Sequence, residues 1–285
     1  MNVKMPGSTH PTPLSAEKAF TLVELLVVAG IIGILAALLL TVVSQGKAEA
    51  QSAACKSHLR QIGVALTMYT SEAHHYPSLV ERSQASNVRA KNWTWADAIY
   101  PYYSLSWTNP AWHCPRYIAQ GGIIIPQPPM LDIFTSYSYN YRGIVGEGWE
   151  GATQRFPMTL GLGIIPMTSA PDSGILAPSE MYAVADARWW SYHHYQETGL
   201  AGKWNMSPWQ YVYHISNPTS SWTVTHVETP PPHGQGYNML FCDGHVALVK
   251  RSDYLYPPRT ARHWNRDNQP HPEAWAPTGD WVVQQ

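Results

Sequence analysis

The chain has 285 residues, of which 45% are apolar and only 13% are charged, with a net charge of −1. Ordinary soluble domains carry about 25% charged residues, and nucleic-acid-binding proteins present a basic surface. The composition therefore excludes a nucleic-acid-binding protein. With 13 Trp and 17 Tyr, it also excludes a chain kept disordered by its charges.

The first predicted element is an apolar helix near the N-terminus. The run from Phe20 to Val43 (FTLVELLVVAGIIGILAALLLTVV) contains a single ionisable residue, Glu24. As a helix it measures about 36 Å, enough to cross a hydrocarbon layer of about 30 Å. The apolar core of a secretory signal peptide spans only about 7–15 residues. We therefore predict a transmembrane segment at about 21–43.

The start of this helix carries a recognisable motif. The string K-A-F-T-L-V-E-L-L at Lys18–Leu26 resembles the processing site of type IV prepilins and secretion pseudopilins. The resemblance implies that a prepilin peptidase and methyltransferase cleaves between Ala19 and Phe20 and methylates the new amine of Phe20. The family usually has Gly where Ala19 stands. The resemblance also implies that Glu24 pairs with the terminal amine of a neighbouring subunit and so sets the register of assembly.

The chemistry of Glu24 has two interpretations. A carboxylate inside an apolar span is costly without a partner, which marks it as functional. Alternatively, its side chain reaches the membrane interface at little cost.

Beyond the apolar run, the pattern remains helical but becomes amphipathic. Apolar residues recur at helical spacing at Cys55, Leu59, Ile62, Leu66 and Tyr69. No Pro occurs between residues 44 and 72, so one helix is predicted from near Thr21 to about Ser71. The stretch Cys55–Tyr69 also resembles the segment after the helix in a large group of bacterial pilin-like proteins.

The rest of the chain predicts short strands and many loops, because short apolar patches alternate with Pro and Gly. Met181–Asp186 (MYAVAD) is predicted as a buried strand that ends in an acid. Asp243-Gly244 lies between two apolar runs, which predicts a hairpin with both turn residues at positive φ. The predicted register pairs Cys242 with His245, Phe241 with Val246, and Leu240 with Ala247.

His233 stands ten positions before Asp243. This spacing, followed by Gly244, resembles the signature of the H-x9-DG group of prepilin-type proteins. The resemblance covers roughly 17–78 and 181–250, and two distant parts of the chain therefore point to the same family.

The same motif also offers candidate metal ligands. His233, Asp243 and His245 are weak candidate ligands for zinc, and acids such as Asp243 or Asp186 for calcium; His193, His194 and His226 are further reserves. We favour a structural role, because Asp in a turn bonds to nearby backbone. We expect no cofactor.

The chain has three cysteines, Cys55, Cys114 and Cys242. A disulfide is allowed if the body lies outside the inner membrane. Cys55–Cys114 is the favoured pair, because it would fasten the helix to the body. Connectivity is not fixed by sequence, and the other pairings stay open.

The surplus of Trp and Tyr also has two interpretations. Most of these residues are expected to pack the body with their polar tips at the surface. Alternatively, Trp189-Trp190 and Trp204 with Trp209 form a platform for a sugar or a partner.

Together the patterns and the resemblance predict an α+β, pilin-like fold, in which a long helix packs on a loop-rich antiparallel sheet. The expected segments are a leader at 1–19, the helix at 20–76, the body at 77–250 and a C-terminal extension at 251–285. The expected topology is a single pass of the inner membrane, with the N-terminus in the cytoplasm and the body in the periplasm or outside the cell. Lysines in the leader agree with this orientation.

The resemblance implies a subunit of a type IV pilus or a type II secretion pseudopilus. Its partners would be the peptidase and other subunits, identical or different. We expect no enzymatic activity, because no G-x-S-x-G, H-E-x-x-H or C-x-x-C motif is present. The first alternative is a membrane-tethered binding protein that does not polymerise and holds a glycan or another ligand. A metal-dependent hydrolase on a pilin anchor is the second.

Overall fold

The structure is a computed structural model that describes residues 21–81, 93–122, 135–144, 160–163, 169–187, 189–194, 197–202, 231–254 and 257–272. The expected cleavage site at Ala19 and Phe20 lies outside these residues, as do His226, Trp204 and Trp209. The chain divides into two compact units, residues 1–46 and 47–285.

The dominant element is helix α1, Leu22–Ala73, which is 52 residues long. Its bounds agree within two residues with the predicted helix. The helix ends where His74 adopts a left-handed φ of 60° and its N–H donates to the carbonyl of Thr70 at 2.8 Å. A left-handed residue is a common helix terminus, and Pro77 follows shortly after.

Short elements follow α1. They are the strands β1 (Val80–Glu81) and β2 (Trp93–Thr94), which pair with each other, and the helices α2 (Trp95–Ala98), α3 (Tyr100–Tyr103) and α4 (Pro115–Ala119). Two 3-10 turns lie at Pro110–Trp112 and Asp172–Gly174. A separate two-stranded ribbon pairs β5 (Trp189–His194) with β6 (Glu197–Gly202).

The main sheet of the body has four antiparallel strands in the order β3-β4-β7-β8. They are β3 (Tyr137–Tyr139), β4 (Tyr182–Asp186), β7 (Gly236–Phe241) and β8 (Val246–Lys250). Strand β4 is buried along its whole length and lies where the sequence predicts a buried strand ending in an acid. The long helix and antiparallel sheet confirm the α+β, pilin-like layout.

One face of the sheet packs against the second half of α1. Buried residues of α1 share a core cluster with strand residues, including Leu59, Ile62, Val184 and Leu240. Full burial of each large aliphatic side chain contributes roughly 1.5–3 kcal/mol. The helical spacing of the α1 residues therefore identifies the face that holds the helix on the sheet.

The other face is covered by the C-terminal helices α5 (Arg251–Tyr254) and α6 (Pro257–Trp264). Trp264 is fully buried in a second core cluster with Tyr237 and Met239. The buried Asn140 side chain donates to the carbonyls of Tyr182 at 2.8 Å and Trp264 at 2.9 Å. Residues of the segment expected as an extension, 251–285, therefore pack against the sheet.

The β7–β8 hairpin corrects the predicted register by one residue. Leu240 pairs with Val246, and the Phe241 N–H donates to the His245 carbonyl at 3.0 Å, which leaves a three-residue loop. Gly244 has a φ of 91°, whereas Asp243 is absent from the described positive-φ residues. This geometry matches a hairpin whose third loop residue is left-handed. The loop is also held by its surroundings, since the Cys242 N–H donates to the Met181 carbonyl at 2.9 Å.

The aromatic surplus packs the body. All four Trp side chains that the structure describes are buried, at Trp95, Trp107, Trp112 and Trp264. The Trp95 ring stacks on that of Tyr139 with centroids 5.1 Å apart. These rings agree with the packing interpretation. The side chains proposed for a platform lie outside the described part of the chain.

Candidate assembly site and buried polar cluster

The first half of α1 presents an uninterrupted apolar surface. Its large apolar side chains, from Leu22 to Val43, are 46% to 78% exposed. The helix is long and apolar enough to cross a membrane, and none of its most apolar 18-residue stretch is buried. A helix that is apolar on every side needs a lipid or protein environment.

Glu24 takes part in a capping arrangement at the start of this helix. Its Oε2 atom accepts hydrogen bonds from the Thr21 N–H at 2.9 Å and the Thr21 hydroxyl at 2.7 Å. The Glu24 N–H donates to the Thr21 hydroxyl oxygen at 3.3 Å. These reciprocal bonds form a capping box, which satisfies backbone donors that a helix start leaves open. The acid of the motif is therefore held at the first turn by the residue that follows Phe20.

The two parts of the H-x9-DG motif lie at opposite ends of the hairpin. At the tip, Asp243 Oδ1 accepts from the His245 N–H at 3.1 Å and contacts His245 Nδ1 at 2.6 Å. This is the backbone bond expected of an Asp in a turn. At the base, His233 forms an isolated bridge with Gly236, the first residue of β7.

His233 contacts Asp186 instead of Asp243. Its Nε2 atom lies 3.4 Å from Asp186 Oδ2, and the two side chains are 2% and 1% exposed. The weak metal set of His233, Asp243 and His245 is therefore not brought together. The hairpin separates the two ends of the motif, because strand β7 rises about 3.4 Å per residue.

A disulfide joins Cys55 of α1 to Cys114 beside this pair, with Cα atoms 5.1 Å apart. It is the pair that the sequence favours. Both cysteines are fully buried, and Cys114 Sγ lies 3.5 Å from His233 Nε2. Cys242 is the free cysteine.

Asn238 completes what we call the buried polar cluster, which comprises Asp186, His233, Asn238 and the Cys55–Cys114 disulfide. The Asn238 N–H donates to Asp186 Oδ2 at 2.8 Å. Among the described residues, Asp186 Oδ1, His233 Nδ1 and the Asn238 side-chain amide have no hydrogen-bond partner. Buried polar atoms without partners are uncommon, and each is expected to have a specific cause.

Burial drives both ionisable members of the cluster toward their neutral forms. Loss of water raises the pKa of Asp186 to about 7, against the hydrogen bond from the Asn238 backbone N–H and the charge of Lys56. Loss of water, followed by the positive charges of Arg116 and Lys56, lowers the pKa of His233 to about 4. A neutral imidazole keeps a lone pair that can accept a proton or bind a metal ion.

Comparison with known proteins identifies the family. The prokaryotic N-terminal methylation motif matches residues 14–40, and a family described as a protein of unknown function (DUF1559) matches residues 45–122. The chain is 32% identical over 111 residues to the type II secretion system core protein G of Pseudomonas aeruginosa, which covers 37% of this chain and 75% of that protein. The chain belongs to the pseudopilin family. No solved structure matches it significantly.

Family membership and structure together show what sequence reasoning missed in this pseudopilin-like chain. The methylation-motif match spans residues 14–40 and confirms the motif, and the roles of Ala19, Phe20 and Glu24 stay predictions. The partnership of His233 with Asp186 was missed, although both residues had been singled out. The available signal was the acid at the end of a fully apolar strand, MYAVAD, which needs a buried partner.

Proposed function

We propose that this protein is a structural, non-enzymatic subunit of a type II secretion pseudopilus or a type IV pilus. A prepilin peptidase removes residues 1–19, and methylation of Phe20 follows. Glu24 then pairs with the terminal amine of a neighbouring subunit. The single observation that carries this proposal is the methylation motif at residues 14–40 on an exposed apolar helix.

The physical argument concerns the one acid in the apolar run. A carboxylate in a membrane span costs about 2.5–3.5 kcal/mol when it has no compensating charge. An amine on the next subunit supplies that charge only at one stagger between the two chains. The hydrogen bonds from Thr21 hold the Glu24 carboxylate at the first turn of the helix, and so contribute to the selection of that stagger.

The proposed location is the inner membrane, with the N-terminus in the cytoplasm and the body in the periplasm or beyond. The Cys55–Cys114 disulfide supports an oxidising compartment for the body.

The processing step is tested by mass spectrometry of the protein recovered from its native membranes. We expect a chain that begins at Phe20 with one added methyl group. A chain that still carries Lys18 and Ala19 would contradict the proposal and would favour the tethered binding protein.

The assembly step is tested with Glu24→Gln, which removes the charge but keeps the size. We expect normal membrane insertion. We expect the yield of cross-linked subunit pairs to fall roughly a hundredfold, because the terminal amine of the neighbouring subunit is left without an opposite charge. Glu49→Gln is the matched control, since Glu49 is an exposed acid of the same helix outside the apolar run. Equal assembly of the two variants would refute the pairing role of Glu24.

A further inference from the structure

The strongest unexplained feature of the body is the buried polar cluster. Its four potential metal-ligand atoms, from Cys55, Cys114, Asp186 and His233, lie within 4.8 Å of one another, and all four residues are buried. The methylation motif at residues 14–40 contains none of these residues, and the proposed assembly role does not involve them. Their spacing can be compared with the geometry of metal sites.

Two measured distances in this group match the edges of a tetrahedral site. Zinc binds sulfur at about 2.3 Å and nitrogen or oxygen at about 2.0–2.2 Å, which places tetrahedral ligand atoms about 3.3–3.8 Å apart. His233 Nε2 is 3.4 Å from Asp186 Oδ2 and 3.5 Å from Cys114 Sγ. The sulfur atoms of Cys55 and Cys114 are instead covalently bonded. The separation of the two sulfur atoms must therefore increase for a zinc ion to fit.

The contact between His233 and Asp186 is itself unlike a strong ion pair. Charge-assisted N–H···O bonds are about 2.7–2.9 Å long, shorter than the observed separation. Oδ1 of Asp186 and Nδ1 of His233 also lack partners among the described residues. Two buried ligand groups that face each other at this distance suit coordination of a common ion better than direct bonding.

We propose that the reduced body binds one zinc ion through Cys55, Cys114, His233 and Asp186, and that formation of the disulfide abolishes this site. Reduction adds two electrons and two protons to the disulfide and gives two thiols. In a cell the reductant is a dithiol, which is converted to its own disulfide. Zinc then displaces the two thiol protons, because thiolate is the binding form.

The charges around the cluster favour the loaded form. Two thiolates, one carboxylate and a divalent cation sum to a single negative charge. Lys56 and Arg116 place positive charge close enough to act on His233. Because the ligands are buried, the ion enters as the reduced chain folds, and its binding energy contributes to folding.

The first test uses the full chain in detergent micelles. The protein is unfolded with a trialkylphosphine, which reduces the disulfide and takes oxygen from water, and is refolded with zinc or cobalt. We expect one metal ion per reduced chain and none per oxidised chain. Cobalt should show a thiolate charge-transfer band and a tetrahedral spectrum. Equal binding by both forms, an octahedral spectrum, or failure of the reduced chain to refold with zinc would overturn the proposal.

Variants then identify the ligands. Each variant is first folded with the disulfide closed and checked by circular dichroism. We expect His233→Gln and Asp186→Asn to bind zinc at least roughly tenfold more weakly after reduction, since even outer-shell changes cost about 10–100-fold. Cys242→Ser should bind normally, because Cys242 lies outside the cluster. Unchanged affinity in both His233→Gln and Asp186→Asn would refute this ligand set.

Discussion

The disulfide of the body should account for a large share of its stability. Cys55 and Cys114 are 59 positions apart, and closing a loop of this length in the unfolded chain stabilises the folded state by about 4 kcal/mol. Whole domains are stable by only about 5–15 kcal/mol. We therefore expect Cys55→Ala/Cys114→Ala to lower the free energy of unfolding by about 4 kcal/mol.

The assay is urea unfolding of the full chain in micelles, followed by Trp fluorescence in the presence of a chelator that removes metal ions. With a slope of about 2–3 kcal/mol/M, the midpoint should fall by roughly 1–2 M. Cys242→Ala is the matched control, because Cys242 is a free thiol of the same body, and should cost about 1 kcal/mol or less. A double variant that loses no more than this control would refute the loop-closure argument.

Three further predictions use the same unfolding assay. Gly244→Ala should lower the free energy of unfolding by about 1–2 kcal/mol because of its φ of 91°, since a Cβ added there would meet no neighbouring atom. The control Gly46→Ala, within helix α1, should cost nothing. Equal effects of the two substitutions would contradict the three-residue turn. Asn140→Ala should lower the free energy of unfolding by about 3 kcal/mol, because it leaves buried carbonyls without donors. The same substitution should speed deuterium exchange in Pro257–Trp264 more than in α1. An equal increase of exchange in both helices would contradict this role of Asn140. Burial lowers the pKa of His113 to about 4 from 6.5. Neutral His113 therefore contributes fully to the free energy of unfolding above pH 6.5, and up to about 3 kcal/mol is lost as pH falls through about 4. A difference in the free energy of unfolding between wild type and His113→Gln that does not vary between pH 4 and 7 would exclude this linkage.

The elements that the sequence predicted well are those with a strong local pattern. Helix α1 follows from an apolar run and from helical spacing at Leu59, Ile62 and Leu66, uninterrupted by Pro. Strand β4 follows from five consecutive small or apolar residues before Asp186. In both cases neighbours in the sequence determine the structure.

The hairpin register was wrong because it depends on contacts outside the hairpin. Asp243-Gly244 is compatible with both a two-residue and a three-residue loop. In the longer loop, the N–H groups of Asp243 and Cys242 donate to the carbonyls of Pro178 and Met181, respectively. A one-residue change of register exchanges the faces of every side chain in a strand.

The buried polar cluster could not be assembled from sequence for a related reason. Its members come from α1, the loop before α4, β4, the loop before β7 and β7 itself, and no spacing rule connects them. The H-x9-DG pattern directed attention to Asp243, which is near His233 in the pattern but at the far end of the hairpin. Only the sheet order β3-β4-β7-β8 brings Asp186 and His233 together.

The placement of Trp264 determines when the body can finish folding. A ribosome releases the chain from its N-terminus, so Cys55 and Cys114 emerge long before β7, β8 and α6. Once this part of the chain reaches an oxidising compartment, the disulfide can close before the sheet is complete, but the second core cluster must wait for residue 264, which is fully buried in it. Until then the face of the sheet that carries Tyr237 and Met239 is open to proteases and chaperones. Truncations a few residues before Trp264 should therefore be degraded, whereas the early disulfide would still be found in their fragments.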